Sequence, residues 1–171
     1  MIPEFSRPFR LDELGGAPRA VAIAADEEER AALAARFGLI GIGALEAEAV
    51  LTRDGDAVTA TGSLRAAVVQ ACVASGEPVP ARIAEDFALR FVPARGDVSA
   101  DEVELDQADL DEVEYEGSAI DLGEAVAQTV ALALDPFPRA ANADEKLREA
   151  GVISEAEAGP FAALKALKDK L

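Results

Sequence analysis

Carboxylates are the side chains of this sequence that could do chemistry. Most of their excess over Lys and Arg lies in one stretch. Residues 97–120, called the acidic segment below, hold ten Asp or Glu and no Lys or Arg, and Asp121 follows directly. Such a stretch can dock a basic protein surface in a fast and salt-sensitive way, or it can be a solvated loop without a partner. We predict docking. The acidic residues predicted to bind the partner are Asp101, Glu102, Glu104, Asp106, Asp109, Asp111, Glu112, Glu114, Glu116 and Asp121.

The spacing of these carboxylates does not complete a metal-binding loop. Glu112, Glu114 and Glu116 resemble the first half of a calcium loop. Position 12 of such a loop should be a bidentate acid, and here it is Gly123. A run of acids can still hold a hard cation weakly, so a metal-dependent hydrolase stays open as a third alternative. We predict no dedicated metal site.

Nucleophiles and bases are scarce. The chain has no His, which excludes a Ser-His-Asp or Cys-His nucleophile and a His-ligated zinc site. Cys72 is the only cysteine, so a disulfide within the chain is impossible. It falls on the apolar side of a predicted strand, where a free thiol behaves as a small hydrophobe. We therefore predict a buried structural Cys72, no catalytic residues, no cofactor and a protein that is not an enzyme.

The net charge limits the classes of partner that the protein can bind. A formal charge of −17 argues against charge-driven binding to nucleic acid or to an anionic membrane, because both need basic patches. Three arginines that face away from the core, Arg65, Arg82 and Arg90, could form a local basic stripe, and direct RNA binding through them is the alternative function. No apolar stretch reaches 18 residues and the first 20 hold no apolar run. We expect a cytoplasmic protein without a membrane partner.

Regular alternation predicts three long strands. Apolar residues recur at every second position along 45–51, 58–72 and 79–91, with Gly62, Gln70 and Glu85 as the exceptions. Turn residues at 53–56 and 75–78 join these strands into hairpins. We therefore predict an α+β fold on a twisted antiparallel meander sheet, open or closed toward a barrel, with one face in the core and the other in water. The stretch from 97 to 115 is predicted to be a solvated acidic loop.

Capping signals predict the helices that pack on this sheet. Asp26 and Glu29 have capping-box spacing, and Asp121 and Glu124 repeat it. The predicted helices cover residues 26–37 and 121–134, with a short third helix at 145–149.

The C-terminal part of the chain is predicted to be separate from this domain. We divide the sequence into an α+β domain at 1–138, which includes the acidic segment, and a polar linker with an amphipathic helix at 139–171. The apolar stripe of that helix is either an intramolecular lid or a partner motif. Phe161, Leu164 and Leu167 form the stripe and complete the predicted partner-binding set.

Three segments, taken in order, resemble a known family. Residues 70–79 contain a Cys on one long strand, a turn and a Pro on the next strand. Residues 118–124 and 132–138 read Ser-Ala-Ile-Asp-Leu-Gly-Glu and Leu-Ala-Leu-Asp-Pro-Phe-Pro. Residues 160–168 read Pro-Phe-Ala-Ala-Leu-Lys-Ala-Leu-Lys. Together with the acidic segment they are similar to the YceD family, which is named for large ribosomal RNA subunit accumulation.

The resemblance implies a role in large-subunit ribosomal RNA accumulation or ribosome assembly, without a known chemical activity or catalytic residues. Many members carry a second Cys three residues after the first, where this chain has Ser75. A zinc site inferred from those members is therefore not transferable. Combined with the acidic segment, the resemblance implies a basic ribosomal protein or assembly factor as partner, with ribosomal RNA contacted indirectly and no small-molecule substrate.

Overall fold

The structure is a computed structural model and describes residues 3–94 and 111–152 of the 171-residue chain. Its elements are β1 (Pro8–Arg10), a 3₁₀ turn (Leu11–Glu13), β2 (Arg19–Ala24), α1 (Glu27–Phe37), β3 (Gly41–Asp54), β4 (Ala57–Ala71), β5 (Pro78–Pro93), β6 (Asp111–Tyr115), β7 (Ala119–Asp121), α2 (Leu122–Ala133) and α3 (Ala143–Glu149). The helices predicted at 26–37, 121–134 and 145–149 are confirmed to within two residues at each end, and the predicted C-terminal amphipathic helix lies outside the described residues.

Five strands form one sheet in the order β2-β3-β4-β5-β6. β2 pairs with β3, and β3 with β4, in antiparallel register, whereas β6 joins β5 in parallel. The predicted α+β fold is therefore confirmed, with a parallel strand added to the meander. In the part of the chain that the structure describes, the sheet ends at β2 and β6, so it is open and not a barrel.

Side-chain alternation along the long strands produces the core face. Leu45, Ala47, Ala49 and Leu51 are all buried, as their spacing predicts. Leu64 of β4, Phe91 of β5 and Leu122, Val126 and Val130 of α2 are fully buried in the same cluster. Burial of apolar surface at this interface between sheet and helices supplies the main stabilisation of the fold.

Helix α1 begins and ends as its sequence predicts. The side chain of Asp26 accepts a hydrogen bond from the N–H of Glu29, and the side chain of Glu29 accepts one from the N–H of Asp26. This reciprocal capping box satisfies two otherwise unpaired donors. Gly38 ends the helix in the left-handed region, at φ +65°.

The segment before β2 closes over α2. β1 pairs with β7 in a separate two-stranded antiparallel sheet, with Phe9 opposite Ile120. Gly123 allows the backbone of Phe5 and Arg7 to lie close to α2. A Cβ at this position would be 2.6 Å from the carbonyl oxygen of Phe5 and 2.9 Å from the amide nitrogen of Arg7.

Contacts divide the chain into two compact units. Within the described residues, the first comprises 3–69, 80–94 and 111–135, and the second comprises 70–79 and 136–152. The core cluster described above lies in the first unit. The sequence-based division at residue 138 stays a prediction, because residues 153–171 lie outside the described part of the chain.

Strand β6 corrects one sequence-based interpretation. The sequence predicts a solvated loop that includes residues 111–115, whereas these residues form a strand. Val113 and Tyr115 alternate with acids, so one side of the segment is apolar enough to pack on the sheet. The flanking acids mask this short period-two pattern in the sequence.

Candidate functional site

Three of the predicted partner-binding acids, Asp111, Glu112 and Glu114, lie on an anchored strand. β6 pairs with β5 over its whole length, from Leu89 opposite Asp111 to Pro93 opposite Tyr115. Tyr115 is buried, and its hydroxyl donates a 2.6 Å hydrogen bond to the carbonyl oxygen of Asp56. The side chain at the C-terminal end of β6 therefore fixes this strand in the first unit.

Four carboxylates project from this strand and from the turn after it into water. All four are exposed, and none takes part in an ion pair within the described ranges 3–94 and 111–152. Arg90 lies opposite Glu112 in the strand register but forms no ion pair with it. The negative charge at this edge is consequently available to a partner. The four residues, called the edge acids below, are Asp111, Glu112, Glu114 and Glu116.

Asp121 is held differently from the edge acids. Its carboxylate accepts hydrogen bonds from the Ser6 hydroxyl at 2.6 Å and the Arg7 amide at 2.8 Å. It also accepts a 3.1 Å bond from the amide of Glu124, as the N-cap of α2. The side chain is half-buried. Asp121 thus ties the segment just before β1 to the start of α2.

The remaining predicted partner-binding residues lie outside the described residues. These are the acids Asp101, Glu102, Glu104, Asp106 and Asp109 and the apolar residues Phe161, Leu164 and Leu167.

The three arginines predicted for the alternative function, direct RNA binding, are exposed on the outer face of the sheet. Arg65, Arg82 and Arg90 form no ion pair with any described residue. Acids lie close to them in the register, because Glu46 is opposite Arg65 and Glu112 is opposite Arg90. The shallow groove on this face is lined by Ala22, Glu48, Thr61, Ser63 and Asp86, among others. Its two carboxylates disfavour a phosphate backbone.

Cys72 is buried in the second unit, as predicted. The backbone N–H of Ala140 donates a 3.3 Å hydrogen bond to its Sγ. This bond, helped by the Ser75 hydroxyl, stabilises the thiolate and lowers the pKa of the Cys72 thiol to about 7.

We expect the alkylation rate of Cys72 by iodoacetamide to rise with pH around a midpoint of about 7, against roughly 8.5 for free cysteine. The pKa of the folded state is lowered, so half of the thiol is already thiolate at neutral pH. Burial slows the reaction, because iodoacetamide reaches the sulfur less easily, and it opposes part of the pKa lowering that the hydrogen bonds cause. Ser75→Ala should shift the midpoint upward, and a midpoint near that of free cysteine in the unsubstituted chain would contradict the assignment.

Residues 3–94 and 111–152 contain no group of three or more Cys, Asp or Glu arranged to hold a metal ion. No helix among them is long and apolar enough to cross a membrane.

Sequence reasoning identified the edge acids but not the strand that presents them. The usable signal was the alternation of Val113 and Tyr115 with acids, which also places Glu112 and Glu114 on the opposite face. This pattern does not indicate which strand β6 pairs with. Its neighbour is β5, and residues 94–110 separate the two strands in the sequence.

A family model described as large ribosomal RNA subunit accumulation protein YceD matches residues 60–168, which are 109 of the 171 residues. Searches of curated proteins and of solved structures found no match.

Proposed function

The chain belongs to the YceD family of large ribosomal RNA subunit accumulation proteins, and we propose that it supports accumulation of that RNA by binding a basic ribosomal protein or assembly factor through its acids. Binding, without catalysis and without a cofactor, is the proposed mode of action. Contact with ribosomal RNA is indirect, through the bound protein. The cytoplasm is the proposed place of action.

One observation carries this proposal: four exposed carboxylates on and beside an anchored strand, without ion pairs to any described residue. Proteins that bind RNA are cationic, because they neutralise phosphates with Lys and Arg. Before such a protein meets its RNA, its basic surface is complementary to an acidic edge. Opposite charges of this kind mainly raise the association rate and select partners.

The geometry favours an edge that is ready to bind. Because Tyr115 and the pairing with β5 hold β6 in place, little conformational freedom of the strand is lost when a partner arrives. The acids of residues 97–110 continue the same charge along the sequence. They extend the proposed docking region beyond the edge acids.

A second candidate function is direct RNA binding through Arg65, Arg82 and Arg90. It is supported by the exposure of these side chains and by their freedom from ion pairs with the described residues. Glu46, Glu48, Asp86 and Glu112 on the same face oppose it. We therefore rank it below protein docking.

Affinity purification of the tagged full-length chain from lysate tests the proposal. At low salt, with nuclease present, we expect basic proteins of the large ribosomal subunit or its assembly machinery to be retained. Their retention should fall as salt is raised, because exposed charges are screened. Replacing the edge acids by their amides (D111N, E112Q, E114Q and E116Q together) should weaken the affinity for the retained protein by about tenfold or more.

The matched control removes four other exposed acids that form no ion pair with any described residue: E46Q, E48Q, E85Q and D86N. Its net charge equals that of the edge variant, so a loss confined to the edge variant locates the docking surface. Retention that is independent of salt and equal in both variants would contradict the proposal. Retention that disappears with nuclease would instead favour the RNA candidate.

A further inference from the structure

The outer side of β6 is a sheet edge. β6 is the last strand in the order β2-β3-β4-β5-β6, and β5 is its neighbour in this sheet among the residues that the structure describes. An edge strand presents backbone N–H and C=O groups that another extended chain can pair with. Peptide recognition by strand addition uses such an edge, with main-chain hydrogen bonds for affinity and side chains for selection.

The hydrogen-bond pattern identifies the groups that point outward. The carbonyl of Tyr115 accepts a 2.9 Å bond from the N–H of Ala94, directly after β5. In a strand, the N–H and C=O of one residue point to the same side, and the side alternates along the chain. Tyr115, Val113 and Asp111 therefore direct their backbone groups to β5. Glu112 and Glu114 direct theirs to the free edge.

The same two residues carry exposed carboxylates. Glu112 and Glu114 share one face of β6, because they are two positions apart. Side chains directly opposite each other on neighbouring strands lie close enough to interact, and opposite charges there are favourable. A segment paired along this edge would thus place its own side chains beside the two carboxylates, and Lys or Arg would fit there.

We propose that the edge of β6 accepts an extended, lysine- or arginine-rich segment of the basic partner as an added strand, hydrogen-bonded to the backbone of Glu112 and Glu114. The inference rests on the proposed function and specifies how the partner is held. Carboxylates at both outward positions admit a basic strand and repel an acidic one, which gives the edge its selectivity.

The probe is a synthetic ten-residue peptide of alternating lysine and valine with blocked ends, titrated into the full-length chain. A second peptide of the same sequence carries N-methyl groups at every second residue, which remove the donors along one side of its backbone. We expect the plain peptide to bind at least tenfold more tightly than the N-methylated one. Charge is identical in the two peptides, so the difference isolates main-chain pairing.

Two variants at position 114 separate the contribution of the carboxylate to peptide binding from that of the backbone N–H. Glu114→Gln removes the carboxylate and keeps the outward N–H, and we expect about a threefold loss of affinity for the plain peptide. Glu114→Pro removes both, and we expect a further loss of about fivefold. Proline is compatible with an edge strand where the missing N–H would face outward. If Glu114→Pro does not fold, the comparison of the two peptides on the unsubstituted chain still tests whether the peptide binds by strand addition.

Equal affinities for the two peptides, with equal losses in both variants, would overturn strand addition while leaving charge docking intact. Failure of both peptides to bind would also overturn it, and the affinity purification described above then decides separately whether the proposed function stands. Self-association of the free chain that Glu114→Pro abolishes would assign the edge to a second copy and likewise overturn the inference.

Discussion

Replacing Gly62 by alanine is expected to lower the free energy of unfolding by about 3 kcal/mol. A Cβ at this position of β4 would lie 1.9 Å from the carbonyl oxygen of Glu48 and 2.7 Å from the Cα of Ala49. Both atoms belong to the backbone of β3, so no side-chain rotation can relieve the overlap. The ladder between β3 and β4 must open locally, in the middle of the sheet.

The control is a second glycine in the same sheet. At Gly43 an added Cβ would meet Ala67 at 3.8 Å and beyond, which is ordinary contact. Gly43→Ala should leave stability unchanged or raise it slightly, because alanine reduces the freedom of the unfolded chain. Guanidinium unfolding of both variants, followed by circular dichroism, measures the difference. Equal stability of the two variants would show that β3 and β4 approach less closely at Gly62 than the structure has them.

Asp121→Ala is expected to cost about 3 kcal/mol of stability. The substitution removes the acceptor for Ser6, Arg7 and Glu124 together. It therefore uncaps α2 and releases β1 at the same time. The midpoint of thermal unfolding, Tm, should fall by roughly 6–12 °C for a chain of this size.

Binding distinguishes the fold role of Asp121 from the docking role that its sequence position suggests. Asp121→Ala should reduce stability yet leave the affinity for the basic partner nearly unchanged at a temperature where the variant is folded. Glu116→Ala is the matched control, since Glu116 is exposed and forms no ion pair within the described residues. It should leave stability unchanged. A loss of affinity in Asp121→Ala at full folding would return Asp121 to the docking surface.

The sequence predicts well what is local. The long strands follow from alternation, and α1 follows from a capping box and a terminal glycine, all within short windows. The buried faces of β3, β4 and β5 follow from the same period of two. These signals are strong because each is repeated several times along one element.

Long-range pairing is what the sequence does not predict. β6 has five residues and β7 has three, too few for a repeated pattern, and their partners β5 and β1 are distant in the chain or parallel to them. The same limit applies to the site. Composition identified the edge acids, but only the pairing of β6 with β5 shows that the backbone groups of Glu112 and Glu114 point to the outer edge of the sheet. The pairing of β1 with β7 likewise gives Asp121 its role in the fold.

The pairing of β1 with β7 has a consequence for how the protein is made. Arg7 and Asp121 are 114 positions apart, so at ordinary speeds of translation about 6–23 s pass between the synthesis of one and the other. The hairpins of β3, β4 and β5 use neighbouring residues and can form during that interval. The segment around Arg7 emerges early but is among the last to be built in, so the first unit can become complete only after α2 has begun to be synthesised.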